Sequence, residues 1–193
     1  NKNSRNIQIL KDVEFIQQFS DLRNNLGRMI IAFVIIEIID KSTLEKNPYP
    51  ILYRLCWRVL DKINDKKQNS LFVLSFFLYQ LLLRLGFMIN LNNCKNCARD
   101  VTQGGMDDYT GELVCINCVT QSRVKIGKDT CTFLKQLSDL HLDNLNTISM
   151  PDSDIMDSIY FLESFMLFHI EGFKKVRSMD IIRTLINRSI SLL

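Results

Sequence analysis

The chain has 193 residues, enough for one medium domain or a domain with a small appendage. At 47% hydrophobic and 23% charged it has an ordinary globular composition, and its seven glycines and three prolines favour long regular elements over a loop-rich fold. The net charge of +3 is too small to name a nucleic-acid partner by itself.

Residues 7–19, "IQILKDVEFIQQF", alternate imperfectly and read as the last strand of something that came before. The chain opens on Asn1 rather than Met, so it reads as a fragment or a processed product. From Asp21 the period turns helical: Leu22, Leu26, Met29, Ile30, Phe33 and Glu37 share one face, with Ser20 or Asp21 as the N-cap. A second helix, "NPYPILYRLCWRVLDKIN", starts with proline in its first turn and buries Ile51, Leu52, Leu55, Cys56, Val59 and Ile63. "NSLFVLSFFLYQLLLRLGF" is apolar nearly all round and predicts the central helix of a bundle, closed by Gly86. It is long enough to span a bilayer, but Gln80 and Arg84 within it favour a buried helix. No secretory leader is evident, since the first apolar stretch lacks a short basic lead and a small-residue cleavage site.

After the cysteine-rich stretch come a helix near 129–141, a turn at Met150-Pro151, a strongly periodic helix over 152–171, and a last short helix over 179–191. The residues predict a mainly α fold: a helical bundle with a small metal module inserted between its halves.

That module is "CKNCARDVTQGGMDDYTGELVCINC", residues 94–118. Its C-x2-C-x17-C-x2-C spacing suits tetrahedral zinc, since each CxxC turn offers two thiolates to one ion. Cys94, Cys97, Cys115 and Cys118 are therefore the candidate metal ligands and zinc the expected cofactor. The alternatives are two disulfides, disfavoured in a reducing compartment, and an iron–sulfur cluster, which the ribbon-like spacing does not favour. Gly104, Gly105 and Gly111 fall where a small β-ribbon needs tight turns. Catalytic zinc keeps a position open and usually has His or carboxylate ligands; with no His between Cys94 and Cys118, the zinc is expected to be structural. Cys56 and Cys131 read as small buried hydrophobes, and His141 and His169 lack a catalytic partner. Phosphate-loop, dinucleotide, serine-hydrolase and metalloprotease motifs are absent, so no enzyme is expected.

Charge is unevenly spread. Between Asp129 and Glu171 there are eight acids against Lys135; from Gly172 onward there are five bases against Asp180. Lys95, Arg99, Arg123, Lys125 and Lys128 around the cysteines, with Lys174, Lys175 and Arg177 near the end, are candidate phosphate contacts; the alternative is ordinary solvated charge. Arg54, Arg58 and Lys62 beside Trp57 form a stripe suited to an acidic peptide.

The order of these parts resembles the RecO family of bacterial recombination-mediator proteins. The resemblance is carried by "LLLRLGF" running into "LNNCKNC", by "MDDYTGELVCINC", and by a later helix with "FHIEGFKKVRS". It covers roughly 7–185. It implies the C-terminal part of a protein whose N-terminal oligonucleotide/oligosaccharide-binding (OB) barrel survives here only as 1–19. The helical domain would occupy 20–93 and 119–193 around a zinc module at 94–118, with the four cysteines above as ligands. It further implies single- and double-stranded DNA, RecR and the single-stranded-DNA-binding protein as partners. The roles implied are strand annealing and RecA loading in the RecF pathway of DNA recombination and DNA damage repair. The implied location is cytoplasmic and nucleoid-associated in a bacterium, with no membrane contact. A rival reading is a zinc-stabilised helical module that binds protein without touching DNA. Two positions depart from the family pattern: Leu78 stands where an acid is common, and a paired glycine is reduced to Gly111-Glu112.

Overall fold

In the computed structural model the described residues are 12, 14, 16–43, 48–120 and 122–190. Seven helices among them carry the fold: α1 (Ser20–Arg23), α2 (Leu26–Ser42), α3 (Pro50–Asn64), α4 (Ser70–Arg84), α5 (Lys128–Gln136), α6 (Asp152–His169) and α7 (Arg177–Ile190). A 3-10 segment, Leu142–Thr147, joins α5 to α6. Three short strands, β1 (Gly104–Met106), β2 (Leu113–Cys115) and β3 (Lys125–Ile126), form an antiparallel sheet in the order β2-β1-β3.

The bundle is built around α4. Asn69 caps it by accepting the amides of Leu71 and Phe72, and Gly86, at φ +90, stops it in the left-handed conformation that glycine tolerates. Because α4 is apolar on every side, it is covered by α3 on one flank and α6 on another. Its buried Ser75 hydroxyl meets Ser158 of α6 at 2.7 Å, and Ser158 also reaches the Ile155 carbonyl, so neither oxygen is orphaned. Phe72 packs edge-on against Phe133 of α5 at 4.8 Å between centroids, tying α5 to the same core.

Where α2 begins, the structure departs from the sequence expectation. The helix expected from Asp21 breaks at Asn24, and Asn25 starts a new one by accepting the Arg28 amide at 3.0 Å. Arg28 then donates to the carbonyls of Ile63, Asp65, Lys66 and Gln68, closing the C-terminal end of α3 onto α2. The inward face of α2 is Ile30, Ile31, Val34, Ile35 and Ile38, whereas Leu26 and Phe33, which helical spacing puts on one face with Ile30, are exposed. On α3, Leu52, Leu55, Val59 and Ile63 are buried as expected, while Ile51 faces out.

Residues 1–11, 13 and 15 of the expected barrel remnant lie outside the described residues, and residues 12, 14 and 16–19 form no strand. The described start of the chain runs along α3, where Gln17 donates to Asp61 and the Leu22 amide to Asn64. Among the described residues no helix is long and apolar enough to cross a membrane.

Candidate functional site

The cysteine module is a ribbon with a knuckle at each end of its pairing. In the first knuckle the Ala98 amide donates to the Cys94 carbonyl and the Cys94 amide to the Arg99 carbonyl, with Ala98 at φ +58 completing the turn. In the second, the amides of Cys118 and Val119 both donate to the Cys115 carbonyl. Each turn thus points two thiols the same way. The Lys95 amide donates to the Leu113 carbonyl and the Cys115 amide to the Cys94 sulfur at 3.2 Å, so the two knuckles face one another.

All four sulfurs lie within 4.8 Å of one another, and Cys97 and Cys115 are 3.7 Å apart. A tetrahedral thiolate shell with bonds of about 2.3 Å sets its sulfurs roughly 3.8 Å apart, so this set fits one ion. Cys94 and Cys115 are buried and Cys97 and Cys118 half-buried, and no disulfide joins any of them. The thiols are strongly unlike. Burial alone would raise Cys94, but the amides of Cys115, Cys97 and Asn96 and the Cys97 thiol outweigh it and hold Cys94 near 6. Cys118, sharing its proton with the Cys97 and Cys115 sulfurs, is pushed up to about 12. Four thiolates this close repel one another, and a dication removes that repulsion. The arrangement can therefore hold a metal ion with a closed sulfur shell.

Three glycines explain how the ribbon comes so close to itself and to the bundle. Gly104 and Gly105, expected in turns, both lie in β1: a β-carbon on Gly104, opposite Cys115, would sit 1.9 Å from the Val114 carbonyl oxygen, and one on Gly105 would sit 2.7 Å from the Val124 carbonyl oxygen. Gly111 does take the turn position, at φ +68, after Asp107 has gathered the amides of Tyr109 and Thr110. Its β-carbon position lies 2.3 Å from the Phe168 ring, and its carbonyl meets His169 Nε2 at 3.1 Å. The end of α6 is thereby pressed onto the ribbon turn.

The candidate phosphate contacts are carried by separate elements. Lys95 and Arg99 are exposed on the first knuckle. Arg123 and Lys125 line a shallow cavity of about 360 Å³ with Thr120 and Ser122, and Asp108 is on its wall. Lys128 opens α5, which has no side-chain cap. Beyond α6 the expected basic cluster is divided. Lys174 and Arg177 are exposed, but Lys175 pairs with Asp180 at 2.8 Å. Arg183 turns inward to Glu163 and Asp180, stacking over Tyr160.

The stripe on α3 gains members that spacing alone did not supply. Arg54 and Arg58 line a cleft of about 320 Å³ together with Arg84 of α4 and His141, over a floor that includes Leu55 and Phe76. The charge on Arg84 is disfavoured first by burial and then by Arg58, so two cations share the space. Trp57 and Lys62 are outside its lining: Trp57 is 40% exposed and Lys62 pairs with Asp143 at 2.9 Å. Leu78 is fully buried, so this departure from the family pattern does not touch the cleft, whereas Gln80 and Arg84 do. Helical periodicity marks which residues share a face of one helix. It does not show that Arg84 and His141, 26 to 87 positions from the α3 arginines, come to the same rim.

Residues 23–178 match the family model described as "Recombination protein O C terminal". Over 185 residues the chain is 22% identical to the DNA repair protein RecO of Listeria monocytogenes serotype 4b, covering 92% of this chain and 71% of that one. It is 27% identical over 183 residues to the RecO of Pelobacter propionicus, covering 93% and 71%. With the RecO of Desulforamulus reducens the identity is 25% over 180 residues, covering 91% and 69%. A bundle centred on one apolar helix, a four-cysteine ribbon pressed against its sixth helix, and a family match that runs through both place this chain in the recombination protein O C-terminal family.

Proposed function

We propose that this chain is the helical, zinc-bearing part of a DNA repair and recombination mediator. In this reading it binds DNA and partner proteins and catalyses no reaction of its own. The observation that carries the proposal is the closed four-sulfur cluster within a chain of this family. Zinc would be held by Cys94, Cys97, Cys115 and Cys118, and its role would be to hold the ribbon in shape. A structural site of this kind contributes about 10–16 kcal/mol of apparent binding free energy.

DNA contact rests on exposed cations: Lys95 and Arg99 on the first knuckle, Arg123, Lys125 and Lys128 after the second, and Lys174 and Arg177 beyond α6. Lys175 is a poorer candidate because Asp180 already engages it. Backbone capture of this kind would serve single and double strands alike and would support annealing and RecA loading with RecR.

Partner contact rests on the α3–α4 cleft, whose three arginines stand over an apolar floor with no carboxylate among its lining residues. The occupant this suits is an acidic peptide with an apolar end, such as the acidic tail of the single-stranded-DNA-binding protein.

Anisotropy of a labelled single-stranded oligonucleotide over a salt series tests the DNA reading. Affinity should fall linearly with salt on logarithmic axes. Replacing Arg123, Lys125 and Lys128 with Gln should flatten that slope by about one for each phosphate the protein no longer neutralises. Absence of binding at low salt would remove DNA contact from this chain. The second reading, a zinc-stabilised module that binds protein alone, would then rest on the cleft.

A further inference from the structure

The cleft's chemistry is not fully open to an incoming ligand. Asp143, on the 3-10 segment beside His141, reaches back across α3: its carboxylate lies 2.9 Å from Lys62 and 3.4 Å from Arg58. It is also 3.3 Å from the His141 ring, which adds an ion pair whenever that ring is protonated. Asp143 is itself about half exposed, and its ionised form is favoured by Lys62 first, then by Arg58 and His141. Among the described residues Arg54 has no ion pair, and Arg84 donates only to Gln80. So one acidic side chain of the protein engages part of the cationic rim and leaves the rest unmatched.

We propose that Asp143 is a built-in competitor at the edge of the α3–α4 cleft, occupying Arg58 on the cleft lining and Lys62 beyond it, so that an acidic peptide must displace it to use them. This rests on the docking reading of the cleft given above. The consequence is a set point on affinity. A ligand with a single carboxylate is met by Arg54 and Arg84 alone, while one with a run of carboxylates exchanges its own charges for Asp143 and gains the full rim. Exposed pairs of this kind are individually weak, so the competitor is displaceable rather than a lock.

The test is anisotropy of a short fluorescein-labelled peptide, an Asp run ending in Leu-Phe with a free carboxylate, titrated with the whole chain. Asp143→Asn should tighten binding about threefold to fivefold, the size expected from freeing two or three exposed pairs. Asp139→Asn makes the same change of net charge at an exposed acid that has no ion pair among the described residues, and should change affinity far less. Arg54→Gln and Arg84→Gln should weaken binding in either background. If Asp139→Asn tightens binding as much as Asp143→Asn, the gain is general charge and the competitor role is overturned. If binding depends on Arg54 and Arg84 but Asp143→Asn leaves it unchanged, the competitor role fails and the docking reading stands. If the peptide does not bind, or binds without regard to Arg54 and Arg84, both fail together.

Discussion

At the scale of single residues, Glu37 shows how one side chain seats a whole helix. Its carboxylate accepts the backbone amides of Arg177 and Ser178 at 2.9 Å each, at the start of α7, and takes the Ser178 hydroxyl and Lys41 as well. It thereby caps from α2 a helix to which it does not belong. Burial works against its charge, but Lys41, Ser178 and Arg177 together overcome that and bring its pKa down to about 2 from 4.5. Because the folded value is depressed, the stabilisation is fully present above the unfolded value and is lost as pH falls from 4.5 through 2. Glu37→Gln should therefore cost about 1–2 kcal/mol in urea unfolding at neutral pH, allowing for its partial exposure to solvent. The gap between the two proteins should be constant above about pH 5 and narrow below it. A gap that widens on acidification would contradict the assignment. Glu163 is the opposite case: buried on α6, it is pushed toward its neutral form by desolvation although Arg183 opposes this, and one of its oxygens has no partner.

At the scale of elements, the ribbon depends on three close approaches that only glycine permits, at Gly104, Gly105 and Gly111. Gly111→Ala places a methyl group into the Phe168 ring at a left-handed position, so the ribbon turn must lift from α6. The expected cost is about 1–3 kcal/mol, with faster amide exchange at both the ribbon turn and the end of α6. Exchange that speeds up in the ribbon alone would show that the contact does not couple them. Much of this architecture was legible in advance, and the parts that were not have physical causes. Apolar residues on every side of "LFVLSFFLYQLLL" require burial on every side, which made α4 readable as the centre. The same property hid the inward face of α2, where a nearly continuous apolar run has no period to read and Phe33 points outward. The break before Leu26 turns on Asn25 preferring a cap to a helix interior, which a run of helical spacing conceals. The cysteine cluster was legible because two CxxC turns with a ribbon between them have few ways to close. The cleft was not, because it is assembled from α3, α4 and the segment after α5.

At the scale of the whole molecule, helices and ribbon share a continuous core in which Val101, Met106, Leu113 and Ile126 of the ribbon side join the bundle's apolar residues. The helices have a large interior of their own around α4, whereas the ribbon's strands are two or three residues long. A sheet of that size does not stand without a staple, and the four sulfurs are where the staple belongs. A single ion in a closed thiolate shell is thus expected to hold the ribbon and to perform no chemistry. Metal analysis of the purified chain, combined with amide exchange before and after chelation, tests it most directly. One zinc per chain is expected, and on its removal rapid exchange across 92–126 while α4 and its neighbours remain protected. A chain that carries no metal, or one whose ribbon amides are equally protected after the metal is stripped, would contradict it.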